Sequence, residues 1–422
     1  MNDITTPNFA NIDDLGNSEK PKVDSQKRVL IIEDLAEMRF MLKSLMSSLG
    51  FVHIDLESTG TAGLKAVLQR QYDIILSDYN LGGSVDGQQI LEYSRKTYPL
   101  DHSTIYIMIT ADTAYESVVS VLEYQPDSYL VKPFPPEAFV RRLKRVQEQK
   151  KIFEDVNKFR MARDFENVEI EAKRIMQEMP VFKNLCTKII GESLFSRDMF
   201  KEAKVHYLLT LQQNKNLAWA YCGIAQCEMK LGAMAAAAKN LEQTISLSRH
   251  YLSAYDLLAD SYEKLEQPEN AQLALKKAIE VSPKALERST RLGKLSQQVK
   301  DWETAELSFA RVVRLARDSS YEKVEIYYDH LKSITDCLNN GIENTKLMDR
   351  FKRSLTRLRV IGKQDPSAVS NSFRLEVQQL LTRKYPEEAK KTWQAWHRLI
   401  LNNKATPITA AQEKALKRML GL

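Results

Sequence analysis

The sequence predicts two structural classes in one chain: an α/β domain with a five-stranded, doubly wound parallel sheet, then an all-α helical-repeat solenoid. Two observations carry this prediction. Short apolar runs alternate with amphipathic stretches from about Arg28 to about Gln149. Beyond about Lys150 nearly every stretch has helical spacing, and similar residues recur at a period of 34.

Five apolar runs in the first region have the length of a buried strand. Four of them are rich in Val, Ile or aromatic residues, which favours strand over helix. The runs are VLIIE (29–33), FVHIDL (51–56), YDIILS (72–77), TIYIMI (104–109) and SYLV (128–131).

The stretches between and after these runs have the spacing of helices, and five helices are expected to cover both faces of the sheet, as in flavodoxin-like folds. The apolar positions of the first two are Met38, Met41, Leu42, Leu45 and Leu49, then Ala62, Ala66 and Leu68.

The repeats become visible when rows of 34 residues begin at Ala218, Leu252 and Leu286, with an earlier row from Asn184. Small residues in fixed columns permit close helix packing, and large residues fill the grooves. Because such a repeat cannot bury its own apolar face, four or five of them are expected to stack. The small columns are Gly191, Ala225, Ala259 and Gly293, then Ala203, Ala237, Ala271 and Ala305; the large column is Tyr207, Leu241, Leu275 and Phe309.

These patterns divide the chain into four segments. Residues 1–26 are rich in Asn, Asp, Ser and Pro and are expected to be a flexible lead. The α/β domain takes 27–149 and the repeats take 150–319. A helical extension over 320–422 is expected to cap the repeats, and Trp393, Trp396 and His397 are interpreted as its packed end.

The composition is that of a soluble globular protein, with 43% hydrophobic and 27% charged residues. The four cysteines form no Cys-x-x-Cys pair and are expected to be reduced thiols. No apolar run is long enough to span a bilayer, and the polar start does not resemble a signal peptide. We therefore expect a cytoplasmic protein without a membrane partner.

The formal net charge of +6 is unevenly distributed. From Gly341 to the end there are 17 Lys or Arg residues against 7 Asp or Glu residues. A solvated helical surface is the preferred interpretation. Contact with nucleic acid or with an acidic partner is the alternative.

Polar side chains stand at the ends of the predicted strands. Glu33 and Asp34 end the first run, Asp78 follows the third, Thr110 the fourth and Lys132 the fifth. Because the carboxyl ends of parallel strands meet at one edge of a sheet, these residues are expected to form a site.

The chemistry of this site follows from its residue types. Three adjacent carboxylates repel one another, so a hard cation such as Mg²⁺ is expected among them. A carboxylate beside such a cation attacks a phosphoryl donor to form an acyl phosphate. Lys132 would pair with one phosphoryl oxygen and the Thr110 hydroxyl with another, and no general base is needed.

The strings VLIIEDLAEMR, IILSDYNLGGSVDG, IMITAD and YLVKPF resemble the response-regulator receiver family of two-component systems, over about 28–149. The resemblance implies Asp78 as the phosphoacceptor and Glu33 and Asp34 as metal ligands. It also implies that the Asn80 backbone carbonyl completes the metal shell.

In the same family, Thr110 corresponds to the switch hydroxyl and Lys132 to the characteristic lysine. Tyr129 corresponds to the aromatic residue that swings inward, while the Asn80 side chain and Asp112 correspond to positions that set the rate of phosphoryl loss. The resemblance further implies a bacterial signalling protein whose partner is a histidine kinase or phosphotransfer protein, and a phosphorylation-dependent homodimer.

The 34-residue rows from Asn184 to Ser319 resemble tetratricopeptide repeats, a family of protein-binding solenoids. The leading hypothesis is therefore a phospho-regulated adaptor that is not an enzyme and acts by binding another protein. After Pro136 the chain has no Gly or Pro up to about Ala162, so a helical joint is expected to couple the two parts.

Two other functions are alternatives to this hypothesis. A transcriptional regulator would bind nucleic acid through the basic C-terminal region, although no helix-turn-helix pattern follows the first domain. An enzymatic output would need a phosphate loop, a metal cluster or a catalytic triad, and no such pattern follows residue 150.

Overall fold

The computed structural model describes residues 25–82, 85–96, 103–111, 126–249, 251–283, 285–319, 321–342 and 345–421. The chain forms two compact units, Met1–Pro283 and Lys284–Leu422. The predicted lead, 1–26, lies almost wholly outside the described residues, as does Asp112.

The α/β domain is built on a parallel sheet with the strand order β2-β1-β3-β4-β5. This order confirms the doubly wound, flavodoxin-like sheet predicted from the sequence. The strands are β1 (Arg28–Ile32), β2 (His53–Glu57), β3 (Ile74–Asp78), β4 (Ile105–Thr110) and β5 (Ser128–Val131).

Helices cover both faces of the sheet. Successive residues of a strand point to opposite faces, so Leu30 and Ile32 enter one core while Val29 and Ile31 enter the other. The helix expected between β4 and β5 falls outside the described residues. The described helices are α1 (Ala36–Ser48), α2 (Gly60–Gln69), α3 (Gly87–Lys96) and α4 (Pro136–Ile152).

The residues predicted to face the sheet on α1 and α2 are buried or partly buried, with one exception. On α1, Leu42 is buried and the other four predicted residues pack partly against the same core. On α2, the expected Leu68 is 38% exposed, whereas Leu64 and Val67 are buried. The buried face of α2 therefore consists of Gly60, Gly63, Leu64 and Val67, and the small Gly63 packs directly on Ile32.

The rest of the first unit consists of antiparallel helix pairs. Four turns inside these pairs contain a residue with positive φ, at Arg163, Asp198, Gly232 and Glu266, and the last three stand 34 residues apart. The helices are α5 (Glu154–Met161), α6 (Phe165–Glu178), α7 (Lys183–Ser196), α8 (Phe200–Gln213), α9 (Ala218–Lys230), α10 (Met234–Leu247), α11 (Leu252–Lys264) and α12 (Pro268–Val281), with a 3₁₀ turn at Pro180–Phe182.

The second unit continues with helix pairs. Trp396 is fully buried and its indole N–H donates to the Ser370 hydroxyl at 3.0 Å, while Trp393 stacks on His397. These contacts confirm the packed end. The helices are α13 (Leu286–Gln298), α14 (Trp302–Ala316), α15 (Val324–Asn339), α16 (Thr345–Ile361), α17 (Pro366–Thr382), α18 (Pro386–Leu401) and α19 (Ala410–Leu420).

All the small and large columns of the 34-residue pattern are buried. Tyr207 packs so closely on α7 and α9 that a Cβ added at Gly191 or Gly223 would lie within 2.5 Å of its ring. In the second unit, a Cβ at Gly293 would lie 2.7 Å from the ring of Phe309. The columns are therefore the packing core of the helix pairs. Nowhere in the described part of the chain is a helix both long and apolar enough to cross a membrane.

Candidate functional site

The parallel sheet brings the predicted polar residues to one edge. Asp78 and Thr110 are the last residues of β3 and β4, and Glu33 and Lys132 directly follow β1 and β5. Strand register aligns them: β3 pairs with β4 up to Asp78, and β4 pairs with β5 up to Thr110.

Lys132 joins two of the carboxylates. Its Nζ lies 2.7 Å from Glu33 Oε2 and 3.0 Å from Asp78 Oδ2. Glu33 is fully buried, Asp78 is 6% exposed, and the Lys132 side chain is 9% exposed. One buried ammonium thus balances two buried carboxylates, which leaves a local excess of negative charge.

Both of these buried acids have raised pKa values. Burial raises the pKa of Glu33 and that of Asp78 above their ordinary values, although the hydrogen bonds from Lys132 act in the opposite direction. Nearby charge adds to the increase, from Asp78 at Glu33 and from Asp34 at Asp78. A further cation at this position would favour the ionised carboxylates and so lower the pKa values of both acids.

The three acids fit such a cation. Glu33, Asp34 and Asp78 each offer a carboxylate oxygen, and these oxygens lie within 4.8 Å of one another. Asp34 is exposed, so the cluster opens to solvent. An all-oxygen set with an open side suits Mg²⁺, which retains several waters when it is bound. Asn80 is exposed two residues after Asp78, and the role of its carbonyl stays a prediction.

Thr110 and Tyr129 take different places. Thr110 is 2% exposed, and its carbonyl accepts a hydrogen bond from the Lys132 amide at 2.6 Å. Tyr129 is partly buried and packs against the core on the β1-Leu30 face. Its backbone pairs with Met108 on β4, two residues before Thr110. The structure therefore places Thr110 at the same sheet edge as the acidic cluster, and Tyr129 lies further back along β5, packed partly against the core.

Two further residues shape the site and were not singled out from the sequence. A Cβ at Gly87, the first residue of α3, would lie 2.0 Å from the Asp78 carbonyl oxygen, so only glycine fits there. Arg39 on α1 donates from Nη1 to the carbonyl oxygens of Glu33 at 2.5 Å and Asp34 at 3.2 Å. Both residues lie within the quoted strings, so their positions were visible although their contacts were not.

Family models match two parts of the chain. The response regulator receiver domain matches residues 29–144, and the tetratricopeptide repeat matches residues 252–284. The chain therefore contains a receiver domain and, further along, a tetratricopeptide repeat. Both recognitions made from the sequence strings are thereby confirmed.

Curated relatives match the receiver part. The chemotaxis protein CheY of Pseudomonas aeruginosa is 28% identical over 130 residues, which are 31% of this chain and 98% of that protein. The response regulator ArlR of Staphylococcus haemolyticus is 32% identical over 150 residues, which are 35% of this chain and 65% of that protein.

Solved structures resemble each part in turn. A CheY-like receiver domain protein from Methanospirillum hungatei is 24% identical, covers 30% of this chain and 96% of its own, and has a TM-score of 0.27. A tetratricopeptide repeat protein from Parabacteroides merdae is 15% identical, covers 65% of this chain and 100% of its own, and has a TM-score of 0.34.

The receiver domain ends in a helix that leads directly into the repeats. Helix α4 ends at Ile152 and α5 begins at Glu154, so Phe153 alone separates them. The Phe153 ring packs edge to face on Phe182, 5.4 Å away, within the core of the first helix pairs. The expected helical joint is thus a single buried residue.

Proposed function

We propose that this chain is a two-component response regulator in which a histidine kinase or phosphotransfer protein phosphorylates Asp78 in a Mg²⁺-dependent reaction. The observation that carries the proposal is the cluster of Glu33, Asp34 and Asp78 at one sheet edge, with Lys132 in contact with two of them. The matching receiver family supports the same conclusion.

Each residue of the site has a separate role in the proposed phosphoryl transfer. The ionised Asp78 carboxylate attacks phosphorus, an O–P bond forms, and the P–N bond to the donor histidine breaks. Glu33, Asp34 and the Asn80 carbonyl would hold Mg²⁺, which supplies neutralisation of the phosphoryl charge when it is bound. Lys132 already reaches Asp78 and would exchange a carboxylate contact for a phosphoryl oxygen.

The response to phosphorylation would begin at Thr110. Thr110 is the last residue of β4 and its carbonyl oxygen accepts from the Lys132 amide; its hydroxyl would donate to another phosphoryl oxygen. Tyr129, two residues back in the pairing of β4 with β5, would then move inward. This displacement is the switch that alters the face formed by β5 and α4.

Output is proposed to be binding of a protein partner by the repeats, with no enzymatic activity in this chain. The matching repeat family supports a protein-binding role. Among the described residues, the receiver acids form the one group of three or more close His, Cys, Asp or Glu side chains that metal binding would require. We propose a cytoplasmic location, and a phosphorylation-dependent homodimer as a second form of output.

Helix α4 is the proposed connection between the switch and the output. Its Phe139, Leu143 and Val146 are buried in the receiver core. Near its other end, Lys150 Nζ lies 2.7 Å from Asp127 Oδ1, just before β5. Because Phe153 then enters the repeat core, a displacement of α4 would reach α5 within one residue.

Nucleic-acid binding by the basic C-terminal region is the second candidate. Three of the arginines on α16 are engaged within the second unit, which leaves less free charge than the sequence alone suggests. Arg350 pairs with Glu306, Arg357 with Glu322, and Arg359 with Glu376. These contacts favour the adaptor over the transcriptional regulator.

The test is phosphorylation of the full chain with acetyl phosphate and Mg²⁺, followed by intact mass measurement. Wild type is expected to gain one phosphoryl group, and Asp78→Asn is expected to gain none. A pull-down from lysate with beryllofluoride and Mg²⁺ then tests output. A partner retained by wild type but not by Asp78→Asn supports the adaptor, whereas recovered DNA supports the second candidate.

A further inference from the structure

Arg39 occupies an unusual place for a cation. It lies in the first turn and a half of α1, near the helix end that carries partial positive charge and favours acidic residues. The N-cap residue Leu35 offers no side-chain hydrogen bond to this helix end. The contacts of Arg39 with other groups must therefore offset an unfavourable electrostatic position.

Those contacts are to the backbone beneath the acidic cluster. Arg39 Nη1 lies 2.5 Å from the Glu33 carbonyl oxygen and 3.2 Å from that of Asp34. The Glu33 amide donates to Glu57 on β2, so the sheet holds Glu33 from its other side. Arg39 thus holds the backbone of Glu33 and Asp34, the two residues whose carboxylates belong to the acidic cluster.

We propose that Arg39 is a positioning residue for the divalent cation, and this inference rests on the proposed function of the receiver site. By holding the carbonyls of Glu33 and Asp34, Arg39 fixes the turn that presents their carboxylates beside Asp78. Groups that orient metal ligands from behind contribute strongly to metal affinity.

The direction in which cation affinity changes when Arg39 is replaced distinguishes a positioning role from a purely electrostatic one. Removing a positive charge near a cation site strengthens cation binding by Coulomb's law. Loss of an orienting contact weakens cation binding, because the ligands no longer start from a common geometry. Arg39→Met is therefore expected to weaken binding in spite of its favourable change of charge.

The experiment titrates Mn²⁺ into the full-length chain and follows the free ion by electron paramagnetic resonance, with Mg²⁺ as competitor. Arg39→Met is expected to lower Mn²⁺ affinity by about tenfold. Arg39→Lys, which keeps the charge but presents a single ammonium, is expected to fall between it and wild type. Arg70→Met is the matched control, because Arg70 pairs with Asp55 away from the cluster and is 59% exposed.

Thermal unfolding of each variant accompanies the titration. A merely structural role would lower the unfolding temperature and leave the Mn²⁺ affinity unchanged, which would overturn the inference. Tighter binding by Arg39→Met would overturn it as well. Should Arg39→Met not fold, Arg39→Lys decides the question, and wild-type affinity in that variant contradicts positioning.

The same titration separates this inference from the proposed function. If wild type binds Mn²⁺ and Asp34→Asn does not, the metal site stands and the Arg39 variants test positioning alone. If wild type fails to bind Mn²⁺, the Mg²⁺-dependent reaction and the inference both fail.

Discussion

Lys132 is the residue on which the electrostatics of the receiver site depend. Its ammonium group reaches both Glu33 and Asp78, and all three side chains are nearly or fully buried. Breaking a buried ion pair from one side leaves an uncompensated charge, which costs more than the pair itself contributes.

Lys132→Met keeps the length of the side chain and removes the charge. We expect it to destabilise the receiver domain by about 3 kcal/mol without metal, because two buried carboxylates lose their partner. Mg²⁺ is expected to restore part of the loss. Thermal unfolding with and without Mg²⁺ measures both effects; Arg70→Met, at an exposed pair, should change stability by less than about 1 kcal/mol. Equal unfolding temperatures for wild type and Lys132→Met would contradict this electrostatic role.

At this scale the sequence predicted that the charged residues meet at one sheet edge, but it did not predict the contacts that hold them there. Glu33, Asp34, Asp78 and Lys132 are visible because each follows an apolar run that ends at the same sheet edge. The close approach of Gly87 to the Asp78 carbonyl depends on where a loop returns in space. Spacing along one chain does not contain that information.

In the helix pairs, the size of the residue in the small column varies inversely with the size of the residue in the large column. Where the large residue is aromatic, as in Tyr207 and Phe309, the small residue of the same repeat is glycine. Where the large residue is leucine, the small residue is alanine, as in Ala259 with Leu275. The two columns therefore conserve volume within each pair, as close-packed interiors require.

Gly293→Ala tests this compensation. The added methyl group would meet the Phe309 ring at 2.7 Å, so we expect a loss of about 1–3 kcal/mol in the free energy of unfolding. Phe309→Leu is expected to recover part of that loss, because the double variant recreates the alanine–leucine pair of the neighbouring repeats. Urea unfolding of the two single variants and the double variant gives the coupling energy; strictly additive losses would contradict the compensation.

A second feature of the helix pairs is the contact between α16 and the segment before α15. Arg357 donates to Glu322 from Nε at 2.8 Å and from Nη2 at 2.7 Å. This hydrogen bonding outweighs burial and lowers the pKa of Glu322 to about 2. Because the folded-state pKa lies below the ordinary value of 4.5, the contribution of Glu322 is complete above pH 4.5 and is lost as pH falls towards 2.

Glu322→Gln is expected to reduce stability by about 1–3 kcal/mol near neutral pH. The difference in free energy of unfolding between this variant and wild type should shrink as pH falls below the ordinary glutamate pKa. Once Glu322 is protonated, it no longer accepts charge-assisted hydrogen bonds from Arg357. Urea unfolding across that range measures the difference. Glu387→Gln removes an exposed partner of Lys390 and serves as control; a difference independent of pH would contradict the assignment.

The order of the elements was largely predictable, and their exact faces were not. Strand-length runs rich in Val and Ile led to the correct sheet, while Leu68 was assigned to the core of α2 and is exposed. That helix has apolar residues at 64, 66, 67 and 68, so periodicity alone does not decide which of them face the sheet. The contact of Gly63 with Ile32 decides it.

For the molecule as a whole, the important feature is the continuity of α4 and α5 through Phe153. Lys150 pairs with Asp127 just before β5, and Phe153, the residue that follows α4, is itself buried in the core of the first helix pairs. One buried residue joins the receiver to the repeats. Phosphorylation of the receiver can therefore affect the repeats only if the switch displaces α4. The sequence indicated a helical joint from the lack of Gly and Pro, but the anchoring of Phe153 on Phe182 required the structure.

Hydrogen exchange of the full chain, with and without beryllofluoride and Mg²⁺, tests this coupling most directly. In wild type we expect altered amide exchange across residues 136–182, which hold α4, Phe153 and the first helix pair. Asp78→Asn should show no such change. Identical exchange of that segment in wild type under both conditions would mean that a phosphoryl group on Asp78 does not reach the repeats, and the proposed regulation would be wrong.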